Sequence, residues 1–175
     1  KKYNITASYK GDSQIPAMTS RNVLTVIPTI TAEDVEKIFR NKTQYYPKLT
    51  DSNGKALKDT NVTMNINGVF YTKTTNDKGI ATQNINLNPG KYIITAMYKN
   101  CFVSNSILVK PTIQTSDLEM NFKDGSAFKT FVTSNEGKPV GSGENVTFNI
   151  NGVFYTKTTN LNSIASLNIN LNPGK

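Results

Sequence analysis

The segment NVTFNINGVFYTKTTN, running from Asn145 to Asn160, repeats NVTMNINGVFYTKTTN, Asn61 to Asn76, with Phe148 in place of Met64 as the one change. The two copies lie 84 residues apart. At the centre of each an Asn-Gly pair, Asn67-Gly68 or Asn151-Gly152, separates two runs of strand-forming residues. Asn-Gly is the favoured pair for a two-residue type I′ hairpin turn, because both central residues need positive φ. Such a turn fixes the register. Ile66 faces Val69, Met64 faces Tyr71 and Val62 faces Lys73 on one largely apolar face, while Thr63, Asn65, Phe70 and Thr72 occupy the other. Phe70 and its copy Phe154 therefore point away from the main apolar row, either to cover a sheet end or to meet a neighbouring domain.

Working outward, the repetition extends. LNPGK, Leu87 to Lys91, returns at Leu171 to Lys175, again 84 residues on. Upstream, Thr29-Ile30 matches Thr112-Ile113, Asp34 matches Asp117, Phe39 matches Phe122, and DSNGK from Asp51 matches SNEGK from Ser134 at a spacing of 83, so one residue is gained between Gly141 and Asn145. A period of this length is too long for a solenoid unit and suits one small immunoglobulin-like β-sandwich with antiparallel sheets. A third match explains the start: KKYNITASYK, from Lys1, resembles GKYIITAMYK, from Gly90. The chain thus reads as 1–28, the C-terminal strands of a preceding Ig-like domain; 29–110, a complete Ig-like domain; and 111–175, an Ig-like domain lacking its last strands.

The remaining strands follow from alternation. After the turn Asn76-Asp77-Lys78-Gly79, the row Ala81, Gln83, Ile85, Leu87 points inward, as does Ala165, Leu167, Ile169, Leu171. Gln83 in place of Leu167 requires a hydrogen-bond partner or partial exposure. Past the turn at Asn88-Pro89-Gly90, Tyr92, Ile94, Ala96 and Tyr98 face the core, against Ile93, Thr95 and Met97. The equivalent N-terminal row is Tyr3, Ile5, Ala7, Tyr9. Ile107 to Val109 closes the domain, and Pro111 marks a linker. The stretch Thr31 to Phe39 admits two readings, a single helical turn with its acids placed early, or a strand.

Composition narrows the function. With no His, one Cys and no Trp, the Ser-His-Asp and Cys-His mechanisms and the common zinc sites are excluded. Cys101 cannot form an intrachain disulfide and reads as a small apolar residue near a strand end. The net charge is +8, but Lys and Arg are scattered singly and no nucleic-acid-binding signature accompanies them. A dispersed positive surface keeps a β protein soluble or meets an anionic cell wall. No apolar run approaches the roughly 20 residues of a membrane-spanning helix. No catalytic residue, cofactor site or metal site is expected.

Phe148-Asn-Ile-Asn-Gly-Val-Phe-Tyr-Thr156, the Gly79-Ile-Ala81 start of a strand alternating Asn with Ile and Leu, and Asn88-Pro-Gly-Lys-Tyr-Ile-Ile-Thr-Ala96 resemble the Ig-like repeats of large adhesin-like surface proteins of methanogenic archaea. The resemblance covers nearly the whole chain. It implies a secreted, cell-surface, repeat-built protein without catalytic residues. The same pattern is more loosely similar to bacterial Cna B-type surface domains, some of which form a Lys–Asn isopeptide bond. Lys48 lies in a suitable first strand, but its repeat counterpart is Phe131, and Lys42 maps onto Gly125.

Candidate sites are few. Asn4, Asn41, Asn61 and Asn145 open N-x-[ST] sequons, glycan acceptors in an exported protein. Glu33, Asp34 and Glu36 form an acidic group that reads as a solvated patch, since no Asp-x-Asp-x-Asp-Gly calcium loop exists. Two functions compete: a structural or adhesive segment of an extracellular stalk or filament, and a module that binds a glycan or a protein, for which the loop 11–22 is the best candidate. The expected partners are neighbouring copies of the same repeat, head to tail, with a cell-wall polymer or a host or partner-cell surface beyond them. Tyr3, Ile5, Ala7 and Tyr9 are the candidate strand-donation residues, expected to fill in a neighbouring domain the place that Tyr92 to Tyr98 fills in the middle one.

Overall fold

The computed structural model describes residues 1–173; Gly174 and Lys175, the end of the second LNPGK copy, lie outside the described residues. The described chain is all-β, a β-sandwich architecture of antiparallel sheets with one parallel pair and no helix. β1 (Lys2–Tyr9) and β2 (Met18–Thr25) form a two-stranded hairpin. The middle repeat contributes β3 (Ile30–Thr31), β4 (Val35–Ile38), β5 (Gln44–Tyr45), β6 (Lys48–Leu49), β7 (Asn61–Ile66), β8 (Val69–Thr74), β9 (Gln83–Asn84), β10 (Gly90–Tyr98) and β11 (Cys101–Lys110). The third repeat contributes β12 (Ile113–Thr115), β13 (Ala127–Val132), β14 (Asn145–Ile150), β15 (Val153–Thr158) and β16 (Ile164–Asn168). The largest sheet runs β4-β11-β10-β7-β8; β12-β13-β16 and β14-β15 form the sheets of the third repeat.

The Asn-Gly hairpins take the expected form. Asn67 (φ 50) and Gly68 (φ 82), like Asn151 (φ 51) and Gly152 (φ 88), are left-handed. Ile66 pairs with Val69, Met64 with Tyr71 and Val62 with Lys73. The Asn65 Oδ1 accepts from the Gly68 N–H, and Asn149 does the same for Gly152. Only one strand of the hairpin is buried, however: Val62, Met64 and Ile66 are core residues, whereas β8 is an edge strand with Val69 and Phe70 exposed. The Asn76 and Asn160 side chains organise the next turn identically, each Oδ1 accepting from the backbone N–H two and four residues on.

Contacts divide the chain into two compact units, 1–33 with 46–83 and 94–105, and 34–45 with 84–93 and 106–175. In the first, Ile30, Leu49, Val62, Met64, Ala81, Ile94 and Ala96 are essentially inaccessible. Ile94 pairs with Ile66 and Ala96 with Met64, so the Tyr-Ile-Ala-Tyr row faces inward, while Ile93 on the other face is 58 % exposed. Gln83 is buried, and its side chain takes the inward place that Leu167 takes in the third repeat. In the second unit, Val146, Phe148, Ala165 and Leu167 form a core against which Phe128, Val132, Ile150 and Ile169 pack.

Two departures between the repeats have identifiable causes, one local and one remote in sequence. β5 and β6 are separate two-residue strands, whereas the equivalent β13 is one strand of six. The interruption is Tyr46-Pro47, where the third repeat has Lys129-Thr130: proline has no N–H to give to a ladder. The second departure is at 35–38. There the structure has strand β4, not a helical turn. Val35 and Lys37 are buried with Glu36 exposed between them, the two-residue period of a strand, and β4 pairs in parallel with β11, Val35 opposite Ile107 and Lys37 opposite Val109.

The inserted residue sits one position earlier than the sequence alignment places it. Val140 N–H donates to Val132 O as Leu57 N–H donates to Leu49 O, but it is Gly141 O, not Val140 O, that accepts from the Thr159 hydroxyl as Leu57 O accepts from Thr75. Val140 and Gly141 together occupy the place of Leu57. The insertion is coupled to another change. Gly79 is left-handed (φ +73), and a Cβ there would collide with Leu49 O. Its counterpart Ser163 is also left-handed (φ 61), is fully buried, and accepts a 2.8 Å hydrogen bond from the extra Gly141 N–H through Oγ.

Two melting series follow. Ile94→Ser costs roughly 2–5 kcal/mol by lost burial and the cavity left behind, whereas Ile93→Ser costs less than about 1 kcal/mol; equal losses would show the register to be wrong. Gly79→Ser destabilises by roughly 1–3 kcal/mol through overpacking. Deletion of Gly141 destabilises the third repeat, and Ser163→Gly in the deleted background restores part of the loss, a non-additivity read by a double-mutant cycle.

Candidate functional site

The third repeat holds a half-open groove of about 790 Å³. Phe128 of β13, Phe148 and Ile150 of β14 and Leu167 of β16 form its floor. Phe128 and Phe148 meet edge to face, ring centroids 6.1 Å apart, a favourable aromatic geometry. Leu118, Met120 and Phe122 form one wall, and Ile169, Leu171 and Pro173 another. Leu118, Phe122 and Leu171 are exposed apolar side chains. The polar side chains lining the groove are Asp117, Asn121, Asn149 and Asn172.

The middle repeat shows what this groove corresponds to. There β7 carries β8 on one side and β10 on the other. Among the described residues, β14 pairs with β15 alone, so the edge that includes Phe148 and Ile150 bears no strand. Likewise 118–121, the counterpart of β4, is not a strand among the described residues, although β12 and β13 beside it form normally. The turn at 121–126 is held by Asp124, whose carboxylate accepts from Asn121 and Ser126 N–H at 2.8 Å each. The Ser126 hydroxyl and those N–H groups hold this carboxyl below its ordinary value.

In the second unit, Lys37 is a buried lysine that sequence reading passed over. Its Nζ donates to the carbonyls of Ile85 (2.8 Å), Thr43 (3.2 Å) and Asn41. Burial pulls its pKa below the ordinary lysine value. The signal was the strand alternation itself, which puts Lys37 on the inward row with Val35; its counterpart in the third repeat is Met120. Tyr45, buried nearby in sequence, has its phenol pushed up to about 12 by desolvation and by the charge of Asp34.

The sequence-predicted sites separate in space. Asn4, Asn61 and Asn145 are exposed on strands. Asn41 is half-buried, with its Oδ1 accepting from the Thr43 N–H and hydroxyl and its Nδ2 donating to Asn135 O at 3.0 Å. Asp34 accepts from Ser106 N–H, and Glu36 pairs with Lys110, so these acids serve the fold. No group of metal-ligating side chains occurs among the described residues. Lys42 and Lys48, weighed for an isopeptide bond, are both exposed. Cys101 is exposed at the first position of β11. The candidate binding loop 11–22 is shorter than expected, because Met18–Asn22 belong to β2. The rest is tied by Asp12, which accepts from Gln14 N–H, Ile15 N–H and the Tyr9 hydroxyl. Tyr3, Ile5, Ala7 and Tyr9 share one face of β1 and are exposed along its length.

No family model matches the sequence, and no curated protein matches it significantly. Solved structures overlap it weakly. A Ca²⁺-stabilized adhesin with which an Antarctic bacterium binds ice aligns at 14 % identity over 95 % of this chain and 48 % of its own, TM-score 0.34. A 1.5-MDa bacterial ice-binding adhesin aligns at 12 % identity over 96 % of this chain and 63 % of its own, TM-score 0.32. Domains 1–6 of the surface layer protein SbsC align at 13 % identity over 89 % and 27 %, TM-score 0.36. This chain spans less than two thirds of each. The fold class rests on the strand pairing of the chain itself.

The Tyr45 phenol gives a pH prediction. Its folded value lies above the unfolded value of 10.0, so the folded state binds the proton more tightly. Its contribution is complete below pH 10 and is lost as pH rises towards about 12. Tyr45→Phe, which copies Phe128, removes this part of the alkaline decline, read as the difference in Tm between parent and variant across that window.

Proposed function

We propose that this chain is a structural and adhesive segment of a repeat-built extracellular surface protein, in which immunoglobulin-like sandwiches follow one another in line. The divisions are 1–28, 29–110 and 111–175. The observation that carries this reading is duplication without divergence at buried ties. Thr75 and Thr159, both buried, each donate to a carbonyl across the turn and accept from a backbone N–H, Thr60 or Glu144. The side-chain hydrogen bonds of the Asn-Gly hairpin and of the Asn76/Asn160 turn are likewise reproduced. A chain that copies its scaffold and its surface hairpin together gains length and repeated surface. It gains no new chemistry.

The surface agrees with that role. Phe70 and Phe154, at equivalent hairpin positions, are 65 % and 69 % exposed beside the exposed Val69 and Val153, so each repeat offers the same small apolar surface for contact. The scattered excess of Lys and Arg provides weak, non-specific attraction to anionic polymers of a cell wall, and an archaeal cell surface is the setting the sequence resemblance implies. Exposed Asn4, Asn61 and Asn145 supply glycan acceptors in such a setting.

The test is location. An antibody raised against the 175-residue chain is expected to label intact source cells, and brief protease treatment of those cells to release peptides spanning 61–76 and 145–160. Labelling only after permeabilisation overturns the proposal.

A further inference from the structure

We infer that the half-open depression formed by residues 37–44 and 84–86 of the middle repeat binds a carboxylate-bearing sugar unit of an acidic polysaccharide. The inference deepens the adhesive reading proposed above and rests on it, naming a site and a ligand class where that reading has only dispersed charge.

Charge marks the depression. It encloses about 420 Å³, within the range of small-ligand sites. Lys37, Arg40 and Lys42 line it, and among the described residues no carboxylate does. Lys37 is buried, and its Nζ donates to three backbone carbonyls. An ammonium has three N–H donors where a neutral amine has one fewer, so this ring of acceptors selects the charged form. The lining thus meets that charge with carbonyl dipoles and no counter-ion. Arg40 and Lys42 are exposed, and the ion pairs among the described residues use other lysines. The Arg40 guanidinium lies 5.3 Å from the centre of the Phe39 ring, a cation–π contact that restrains it.

The rim is already held in one shape. Lys37 ties the carbonyls of Asn41 and Thr43 to that of Ile85. The Asn41 Oδ1 accepts from the Thr43 N–H and hydroxyl, and its Nδ2 donates to Asn135 O. The Gln44 Nε2 donates to the Asn84 Oδ1 across the depression. A preorganised rim loses little conformational entropy on binding. The chemistry of the lining suits an acidic sugar. An Arg fork pairs with a carboxylate through two parallel hydrogen bonds. Asn84 and Asn86, both exposed, each present amide donors and an acceptor, the combination that sugar hydroxyls require. Among the described residues no aromatic ring lines the depression, so a nucleic-acid base finds no stacking platform there.

The third repeat shows that the scaffold does not require this set. The turn itself is copied. Arg40 and Lys123 are both left-handed (φ 61 and 59), and each cation sits beside the ring of the preceding Phe. The other side chains diverge: Met120 stands for Lys37, Asp124 for Asn41, Gly125 for Lys42 and Ala127 for Gln44. The formal charge of these positions with Arg40 is +3 in the middle repeat and zero in the third, where Asp124 offsets Lys123. The hairpin segments 61–76 and 145–160 meanwhile differ at one position. Divergence concentrated in one depression, on a copied backbone turn, is what a ligand specific to the middle repeat calls for.

The experiment titrates the full chain with tetragalacturonate at physiological ionic strength, beside a neutral glucose tetramer, acetate and an oligothymidylate. Tetragalacturonate is expected to saturate one site, with amide shifts confined to 37–44 and 84–86, and the other three probes to leave those amides unmoved. Arg40→Gln with Lys42→Gln, both at exposed positions, is expected to weaken binding roughly tenfold or more, the loss of one charge-assisted hydrogen bond. Lys73→Gln with Lys78→Gln removes the same charge from exposed positions of the other unit and is expected to change the affinity less than about twofold, since screened distant charges contribute little. Equal weakening by both pairs overturns the inference in favour of dispersed charge and leaves the surface reading standing. So does the absence of binding, or shifts outside these residues. Equal binding of the oligothymidylate overturns the ligand class. Labelling confined to permeabilised cells, with this binding intact, overturns the surface reading and not the site.

Discussion

An interior strand, paired on both sides, is the constraint on which this molecule turns. β7 pairs on both sides, with β8 through a two-residue turn and with β10 through a long return of the chain. The first pairing is local and cheap in closure entropy, whereas the second draws together residues about thirty apart. Yet it is the second that seals the core. Ile94 and Ala96 lie over Ile66 and Met64, and all four are buried. β8, which arrives first in sequence, stays an exposed edge. Burial, and with it most of the stabilisation, depends on the distant strand.

The third repeat shows what the same residues do without that strand among the described residues. The local hairpin β14–β15 forms in the same register as β7–β8, and the turn at Asn160 closes as it does at Asn76. Elements that rest on their own turn chemistry are insensitive to the missing neighbour. The counterpart of β4 is sensitive. Leu118–Asn121 has strand-like alternation, but β4 is a strand because β11 lies beside it, and here no strand takes that place. The apolar side chains that would be covered instead line an open groove.

Between these extremes, single residues adapt the repeat to its context. Lys37 is tolerated in an inward position because three carbonyls surround its ammonium, satisfying a buried charge that would otherwise be costly. Met120 makes no such demand. Ser163, left-handed and buried, has its hydroxyl satisfied by the N–H of the one extra residue, Gly141. Such paired departures preserve the backbone frame while the side chains change.

The sequence by itself determined the period, the all-β class, the hairpin turns and their register, and most of each inward row: Ala165 and Leu167 are buried as the alternation predicts, whereas Leu171, expected inward with them, is exposed. These are consequences of nearest-neighbour geometry: positive φ at Asn-Gly, and alternation with a period of two. Tertiary structure decided the rest. Whether 31–39 was a turn of helix or a strand depended on β11, which lies some seventy residues on. That Lys37 is caged depended on loops 41–43 and 85 folding over it. That the Asn41 side-chain N–H is engaged depended on the carbonyl of Asn135, ninety-four residues on. Loop 11–22 was shortened because Met18–Thr25 found β1 as a partner. In each case the residue type permits two states, and only a partner remote in sequence, brought close by the fold, makes one of them lower in free energy.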